Sequence, residues 1–187
     1  MRAVSGIVLA GGKGSRMGGV DKGLKALRGR PMVEWVLERL APQVDDLVIN
    51  ANQNLERYGA FGRRVVSDEI GGFAGPLAGL HAGLKAVKHP LAVTAPCDSP
   101  FLPADLVARL KDALGENDLA VAKTGDQPHP VFALVRRRCR EGLEAFLAQG
   151  GRKIDAWYAS LKVVEVSFDD EADAFRNINT PEELAKE

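Results

Sequence analysis

A glycine-rich segment with cationic side chains follows the first apolar run of the sequence. Its glycines are Gly11, Gly12, Gly14, Gly18 and Gly19. Because glycine has no side chain, its backbone N–H groups are accessible, and such groups can bind an anion. Arg16 and Lys22 bring positive charge to the same segment, so its composition favours phosphate binding. The alternative interpretation is a flexible turn with ordinary surface cations.

The spacing within this segment excludes two common phosphate-binding patterns. The dinucleotide fingerprint G-x-G-x-x-G, counted from Gly12, requires a glycine where the chain has Met17. The Walker A pattern requires Gly-Lys-Ser/Thr, whereas Gly19 is followed by Val-Asp-Lys. The segment therefore matches neither pattern.

Polar residues end the next apolar runs as well, at Asn50, Asp68 and Asp98. In an open parallel sheet the carboxyl ends of the strands lie at one edge, where ligands bind, so we expect these side chains to converge. Asp98 is a candidate ligand for Mg²⁺, which takes one or two carboxylates together with phosphate oxygens and water. The alternative for all three residues is a role in forming turns.

Strand and helix patterns alternate along the chain. Strands are predicted at 4–9, 47–49, 65–66, 91–95, 119–122, 131–135 and 163–166. Helices are predicted at 32–40, 75–87, 103–114, 139–147, 154–158 and from 180 onward. This alternation predicts an α/β fold, a three-layer α/β/α sandwich with a Rossmann-like, mainly parallel sheet. We expect residues 1–187 to form one domain, with loops at 71–76 and 125–130.

Composition narrows the classes of protein further. Lys and Arg together number 25, as do Asp and Glu, so the net charge is zero and bulk electrostatic binding of nucleic acid is not expected. No apolar run approaches the roughly 18 residues of a membrane span, and no signal peptide is expected. Cys97 and Cys139 form neither a disulfide framework nor a metal pattern, which favours a cytoplasmic protein.

The sequence LAGGKGSRMGGVDK (residues 9–22) resembles the signature loop of nucleotidyltransferases of the sugar-nucleotide pyrophosphorylase fold. Within that group it is most similar to the molybdenum cofactor guanylyltransferases, the MobA family. The resemblance covers nearly the whole chain, through RMGGVDKGL (16–24), VINAN (48–52), GPLAGL (75–80), PCDSP (96–100), HPVFAL (129–134) and NINTPEEL (177–184). The order of these motifs makes the match specific. One departure is Lys-Gly-Ser at 13–15, where some members carry bulkier or more basic residues, and this leaves Arg16 with less cationic support.

The resemblance implies transfer of GMP from GTP to the terminal phosphate of molybdopterin, with release of pyrophosphate. It implies catalytic roles for Arg16, Lys22 and Asp98, with Asp98 as the Mg²⁺ ligand. The positions expected to contact GTP are Leu9, Ala10, Gly11, Gly12, Lys22, Asn50, Asp68 and Asp98. Asn177 and Asn179 correspond to residues near the pterin, although hydrogen bonding within a loop explains them equally well.

Three other functions compete with this one. A CTP-dependent molybdopterin cytidylyltransferase is the nearest, but that family more often has LAAG and Asn-Lys where this chain has LAGG and Asp21-Lys22. A sugar-phosphate nucleotidyltransferase is disfavoured because the chain is short. A non-catalytic GTP-binding or cofactor-carrier module belongs to a different class. A monomer is expected, and the resemblance suggests molybdoenzyme maturation proteins as partners.

Several remaining polar residues have ordinary structural explanations. His81 and His89 have no metal-ligating neighbours in the sequence, which favours packing or surface roles. His129 could line the acceptor side, but a turn around Pro128 and Pro130 explains the same residues and is the favoured interpretation. The run at 136–138, Arg-Arg-Arg, is expected to be a solvated face.

Overall fold

A seven-stranded sheet forms the centre of the protein in a computed structural model, which describes residues 3–11, 21–71 and 75–178. The strands of this sheet and of a separate short hairpin are, in chain order, β1 (Val4–Leu9), β2 (Ala26–Leu27), β3 (Arg30–Pro31), β4 (Asp46–Asn50), β5 (Arg64–Val66), β6 (Leu91–Pro96), β7 (Leu119–Thr124), β8 (Gln127–Arg136) and β9 (Val163–Ser167). The order across the sheet is β5-β4-β1-β6-β8-β7-β9, and β2 pairs with β3 in a separate short hairpin. In the large sheet β8 runs antiparallel to both of its neighbours and the other pairs are parallel, which confirms the prediction of a mainly parallel sheet.

Helices connect the strands. They are α1 (Met32–Leu40), α2 (Leu55–Gly59), α3 (Gly75–Ala86), α4 (Leu106–Leu114), α5 (Arg140–Ala148) and α6 (Ile154–Tyr158). The sequence does not predict α2, because its five residues are too short to show a helical repeat of apolar positions. The helix predicted from residue 180 lies outside the described residues. Within the described ranges, no helix is long and apolar enough to cross a membrane.

The two faces of the sheet support separate apolar cores. Successive side chains of a strand point to opposite faces. Val8 accordingly packs in the core that contains α1 and α4, whereas Ile7 packs in the core that contains α3, α5 and α6. The same alternation separates Ala120 from Val121 on β7. Helices on both faces of one sheet confirm the predicted three-layer α/β/α sandwich.

The expected loop at 125–130 is wrong for residues 127–130, which begin β8. A two-residue turn at Gly125 and Asp126 joins Thr124 to Gln127, and the left-handed φ of 55° at Gly125 suits this turn. β6 pairs with β8 only at residues 134–136 of β8. At Pro128 and Pro130 no described strand lies on the β6 side of β8 to accept an N–H, so prolines are tolerated there.

The expected solvated face at 136–138 is wrong for Arg136, which is only 8% exposed. Its guanidinium donates hydrogen bonds to the backbone carbonyls of Gly115 and Asn117, just after α4. A buried guanidinium needs such acceptors, and these two carbonyls supply them. Arg137 and Arg138 are exposed, as predicted.

Substitution of Gly83 by alanine tests the contact between α3 and β1. A Cβ at this position would lie 2.7 Å from Cγ2 and Cδ1 of Ile7, which is fully buried. Overpacking of this kind costs about 1–3 kcal/mol, so we expect Gly83→Ala to lower the free energy of unfolding in urea. The control is Gly142→Ala on α5, where a Cβ meets nothing within 4 Å. Equal stability of the two variants would contradict the close packing of α3 on β1.

The pKa of His129 gives a second prediction. Its ring stacks on Phe175 with centroids 4.9 Å apart, and its Nε2 is 2.7 Å from Oγ1 of Thr124. Partial burial disfavours the charged imidazole, so the pKa of His129 is lower than the ordinary value of 6.5. The unfolded chain therefore takes up this proton first, and stability contributed by the neutral ring is lost as pH falls from about 6.5 through the lower pKa of the folded protein. An NMR titration of the imidazole should give a midpoint below 6.5; a midpoint at or above that value would contradict the burial.

Candidate active site at the carboxyl edge of the sheet

The end of β1 lies between the ends of β4 and β6. The N–H of Ala10 donates to the carbonyl of Asn50 at 2.8 Å, and the N–H of Cys97 donates to the carbonyl of Leu9 at 3.0 Å. These bonds continue the strand register, in which Leu9 faces Asn50 on one side and Pro96 on the other. Polar residues that follow β4 and β6 are thereby placed on the two sides of the β1 end, as predicted.

The first polar group, on the β4 side, consists of Asn50, Asn52 and Asp68. Asn50 is 2% exposed, and its Nδ2 donates to Oδ1 of Asp68 at 2.8 Å. Asn52 donates from Nδ2 to Oδ2 of the same carboxylate at 3.1 Å, and its Oδ1 accepts the N–H of Asp68 at 2.9 Å. Two amides therefore fix both oxygens of one carboxylate beside β1.

Two glycines pack closely against this group. A Cβ on Gly11 would lie 3.0 Å from Nδ2 of Asn52 and 3.1 Å from Oδ1 of Asn50. A Cβ on Gly79 of α3 would overlap the Asn50 amide, since even its distance to Cγ of Asn50 would be only 2.9 Å. Any other residue at Gly79 must displace that amide or move the helix. Gly11 lets the backbone after β1 approach the same amides.

The second polar group, on the β6 side, contains Lys22 and Asp98. Nζ of Lys22 lies 3.7 Å from Oδ2 of Asp98, and the two side chains are 26% and 11% exposed. Partial removal from water strengthens the field of each charge relative to an exposed pair. A cation and a carboxylate are thus held together just beyond the end of β6.

Asn177 joins this second group through the chain that follows the turn at Asp169–Phe175. The hydroxyl of the buried Ser99 donates to Oδ1 of Asn177. The carbonyl of Asp98 accepts the N–H of Ile178 at 2.9 Å. A segment from the far end of the sequence therefore lies against Ser99 and the backbone of Asp98, and the expected role of Asn177 toward the pterin stays a prediction.

Three predicted site residues, Gly12, Arg16 and Asn179, lie outside the described residues. Asn52, by contrast, contributes to the site although the sequence pattern alone assigns it no role. The signal that could identify it is the alternation of an extended chain, since Asn52 is two residues beyond Asn50 and so points to the same side. Asp21 and Tyr58 escape prediction as well, because the hydrogen bond that joins them spans 37 residues of sequence.

Asp98 could hold a metal ion, because its carboxylate lies beside Lys22 at the carboxyl edge of the sheet. Among the residues that the structure describes, no group of three or more His, Cys, Asp or Glu side chains forms an enclosed metal site. A single carboxylate could hold a divalent cation only together with phosphate oxygens and water, which complete the ligands of Mg²⁺ in many phosphate-binding sites.

Cys97 lies next to Asp98 but is not a reactive nucleophile. Burial raises the pKa of the Cys97 thiol well above its usual value, and the neighbouring Asp98 carboxylate adds to this shift. The thiolate is the nucleophilic form of cysteine, so a thiol kept neutral is inert near neutral pH.

The expected packing role of His81 is confirmed by its 3% exposure on α3.

Comparison with known proteins places this geometry in a family. A molybdenum cofactor guanylyltransferase from Cupriavidus necator is 53% identical over 188 residues, covering 97% of this chain and 94% of that protein. One from Ralstonia nicotianae is 51% identical over 192 residues, with the same coverage of 97% and 94%.

Solved structures agree with the sequence comparison. Molybdopterin-guanine dinucleotide biosynthesis protein A from Archaeoglobus fulgidus has a TM-score of 0.80 at 30% identity, covering 97% of this chain and 95% of its own. A 2-C-methyl-D-erythritol 4-phosphate cytidylyltransferase from Thermus thermophilus shares the fold, with a TM-score of 0.72 at 18% identity and coverage of 96% and 95%. Residues 6–163 match the MobA-like NTP transferase domain, and the chain belongs to that family.

Proposed function

We propose that this protein is a guanylyltransferase that transfers GMP from GTP to the terminal phosphate of molybdopterin. The products are pyrophosphate and the molybdopterin guanine dinucleotide. The observation that carries the proposal is the pair of Lys22 and Asp98 at the carboxyl edge of the sheet, 3.7 Å apart, in a MobA-like NTP transferase domain. Relatives that are 51–53% identical over 97% of the chain are named molybdenum cofactor guanylyltransferase, which supports the proposal.

The reaction requires positioning and charge stabilisation more than covalent chemistry. An oxygen of the acceptor phosphate attacks the α-phosphorus of GTP, and the bond from that phosphorus to the oxygen that bridges it to the β-phosphate breaks. Negative charge develops on the departing pyrophosphate, and a fixed cation that is shielded from water stabilises this charge. Lys22, which is partly removed from water, can supply such a cation, and we assign the same charge-stabilising role to Arg16.

Asp98 would hold Mg²⁺, together with phosphate oxygens and water. When bound, Mg²⁺ neutralises phosphate charge and orients the phosphate groups. The carboxylate of Asp98, whose Oδ2 lies 3.7 Å from Nζ of Lys22, would hold the ion beside this ammonium, so that both could act on the triphosphate. Backbone groups of Leu9, Ala10, Gly11 and Gly12 would contact the nucleotide along the end of β1.

The two polar groups divide the substrate between them. Asn50 and Asp68 lie on the β4 side of β1, and we assign them to the nucleoside half of GTP. Asn177 accepts a hydrogen bond from Ser99, the residue after Asp98 on the β6 side, and we assign it, with Asn179, to molybdopterin. The α-phosphate would then lie between the groups, close to Lys22 and Asp98.

We further propose a monomeric, cytoplasmic protein with one domain over residues 1–187, which passes its product to molybdoenzyme maturation proteins.

Nucleotide and acceptor selectivity test the function directly. Purified protein is incubated with Mg²⁺ and molybdopterin and with either GTP or CTP, and pyrophosphate release is measured. We expect release with GTP and little with CTP. Release with CTP instead would favour the cytidylyltransferase, and release with a sugar phosphate but no pterin would favour a sugar-phosphate enzyme. Tight GTP binding without turnover would identify a non-catalytic module.

Asp98→Asn should separate catalysis from folding. The substitution keeps the shape of the side chain but removes the charge that would hold Mg²⁺, so we expect turnover to fall by about 100-fold or more. The thermal unfolding midpoint should stay close to that of the unmodified protein. Asp112→Asn, at an exposed position on α4, is the matched control and should retain full activity. Full activity of Asp98→Asn would reject the assignment of Asp98 as the metal ligand.

A further inference from the structure

Asp21, the residue before Lys22, is held by the segment that begins α2. The hydroxyl of Tyr58 donates a hydrogen bond to Oδ1 of Asp21. Nδ2 of Asn54 lies 3.4 Å from Oδ2 of the same carboxylate. Asn54 has the left-handed conformation, with a φ of 54°, which asparagine adopts more readily than most residues. Both oxygens of Asp21 therefore face α2 and the residue before it.

The Asp21 carboxylate does not cap the helical turn that follows it. Asp21 precedes the short helical turn Lys22–Leu24, yet its side chain makes no capping hydrogen bond there. The turn is instead closed by backbone bonds, from the N–H of Leu24 to the carbonyl of Asp21 and from the N–H of Lys25 to the carbonyl of Lys22. Because these bonds tie Asp21 to the turn, a constraint on Asp21 is also a constraint on the backbone of Lys22.

Tyr58 is suited to impose that constraint. Its side chain is fully buried, and burial raises the pKa of the phenol well above its ordinary value, so the hydroxyl keeps its proton and remains a donor. A Cβ on Gly23 would lie only 2.6 Å from the Tyr58 hydroxyl oxygen. The phenol thus approaches the residues on both sides of Lys22.

We propose that Tyr58 is a positioning residue of the nucleotidyl transfer, which acts through Asp21 to hold Lys22 toward Asp98 and the triphosphate. This inference rests on the function proposed above and assigns a role to a side chain that has none in the sequence motifs. Without the hydroxyl, the Asp21 carboxylate loses a buried donor and the turn at 22–24 gains freedom. Lys22 then spends less time at the position that meets the phosphates.

A double-mutant cycle between Tyr58 and Lys22 tests the proposal. We expect Tyr58→Phe to lower kcat/KM for GTP by about 10-fold, the effect of losing roughly 1.4 kcal/mol of transition-state stabilisation. Lys22→Ala should lower it further. In the Lys22→Ala background, Tyr58→Phe should have almost no additional effect, because the residue through which it acts is gone. GTP dissociation constants of the same four proteins extend the cycle where turnover is too slow to measure.

Matched variants separate positioning from general stability. Tyr158→Phe removes the hydroxyl of the other tyrosine, which donates to the carbonyl of Pro130 at 2.6 Å, and should leave kcat/KM for GTP unchanged. Asp21→Ala should reproduce the loss seen in Tyr58→Phe, and it serves as the test if that variant fails to fold. Asp21→Asn retains an oxygen that accepts the phenol and should recover most of the activity.

Three outcomes would overturn the proposal, and the third differs from the first two because it also rejects the proposed function. If the protein transfers GMP but the losses of Tyr58→Phe and Lys22→Ala multiply, Tyr58 does not act through Lys22 and the positioning role alone is wrong. The positioning role is also wrong if Tyr58→Phe retains full kcat/KM. If the unmodified protein releases no pyrophosphate from GTP in the presence of molybdopterin, the proposed function is wrong and the positioning role fails with it.

Discussion

The parallel alignment of β1 with β4 and β6 brings the parts of the candidate site together. Leu9 pairs with Asn50 on one side and with Pro96 on the other, so the three strands end together. This alignment brings Asn50, Asp98 and the backbone after β1 to one edge of the sheet. A chain with zero net charge can therefore present a local cation and a local carboxylate to a phosphate-bearing ligand without an overall basic surface.

Close packing of α3 on the sheet adds a second requirement. Gly79 and Gly83, one helical turn apart on α3, face Asn50 and Ile7 respectively, and a Cβ at either would lie within 3.0 Å of the facing side chain. One edge of α3 therefore approaches both the core of the sheet and the amide that fixes Asp68. Glycine serves stability at position 83 and site geometry at position 79.

Features that depend on local pattern can be predicted from the sequence. The strand ends at Asn50, Asp68 and Asp98 follow from short apolar runs, and the sandwich follows from their alternation with helices. Features that depend on distant contacts cannot be predicted in this way. The Tyr58–Asp21 bond, the burial of Arg136 by carbonyls after α4 and the tolerance of prolines in β8 all require the assembled sheet. Asn52 lies between these cases, because its spacing from Asn50 is visible in the sequence but its contact with Asp68 is not.

We propose that the triphosphate of GTP binds between Lys22 and Asp98 at the end of β1, and every assigned role of these residues follows from that position. A crystal structure of the protein with Mg²⁺ and a slowly hydrolysed GTP analogue would locate the triphosphate. We expect Nζ of Lys22 to lie within hydrogen-bond distance of a phosphate oxygen, about 2.7–3.2 Å, and Asp98 to coordinate the metal ion. A nucleotide bound elsewhere, or an Asp98 carboxylate directed away from the metal ion, would show that the proposed site is wrong.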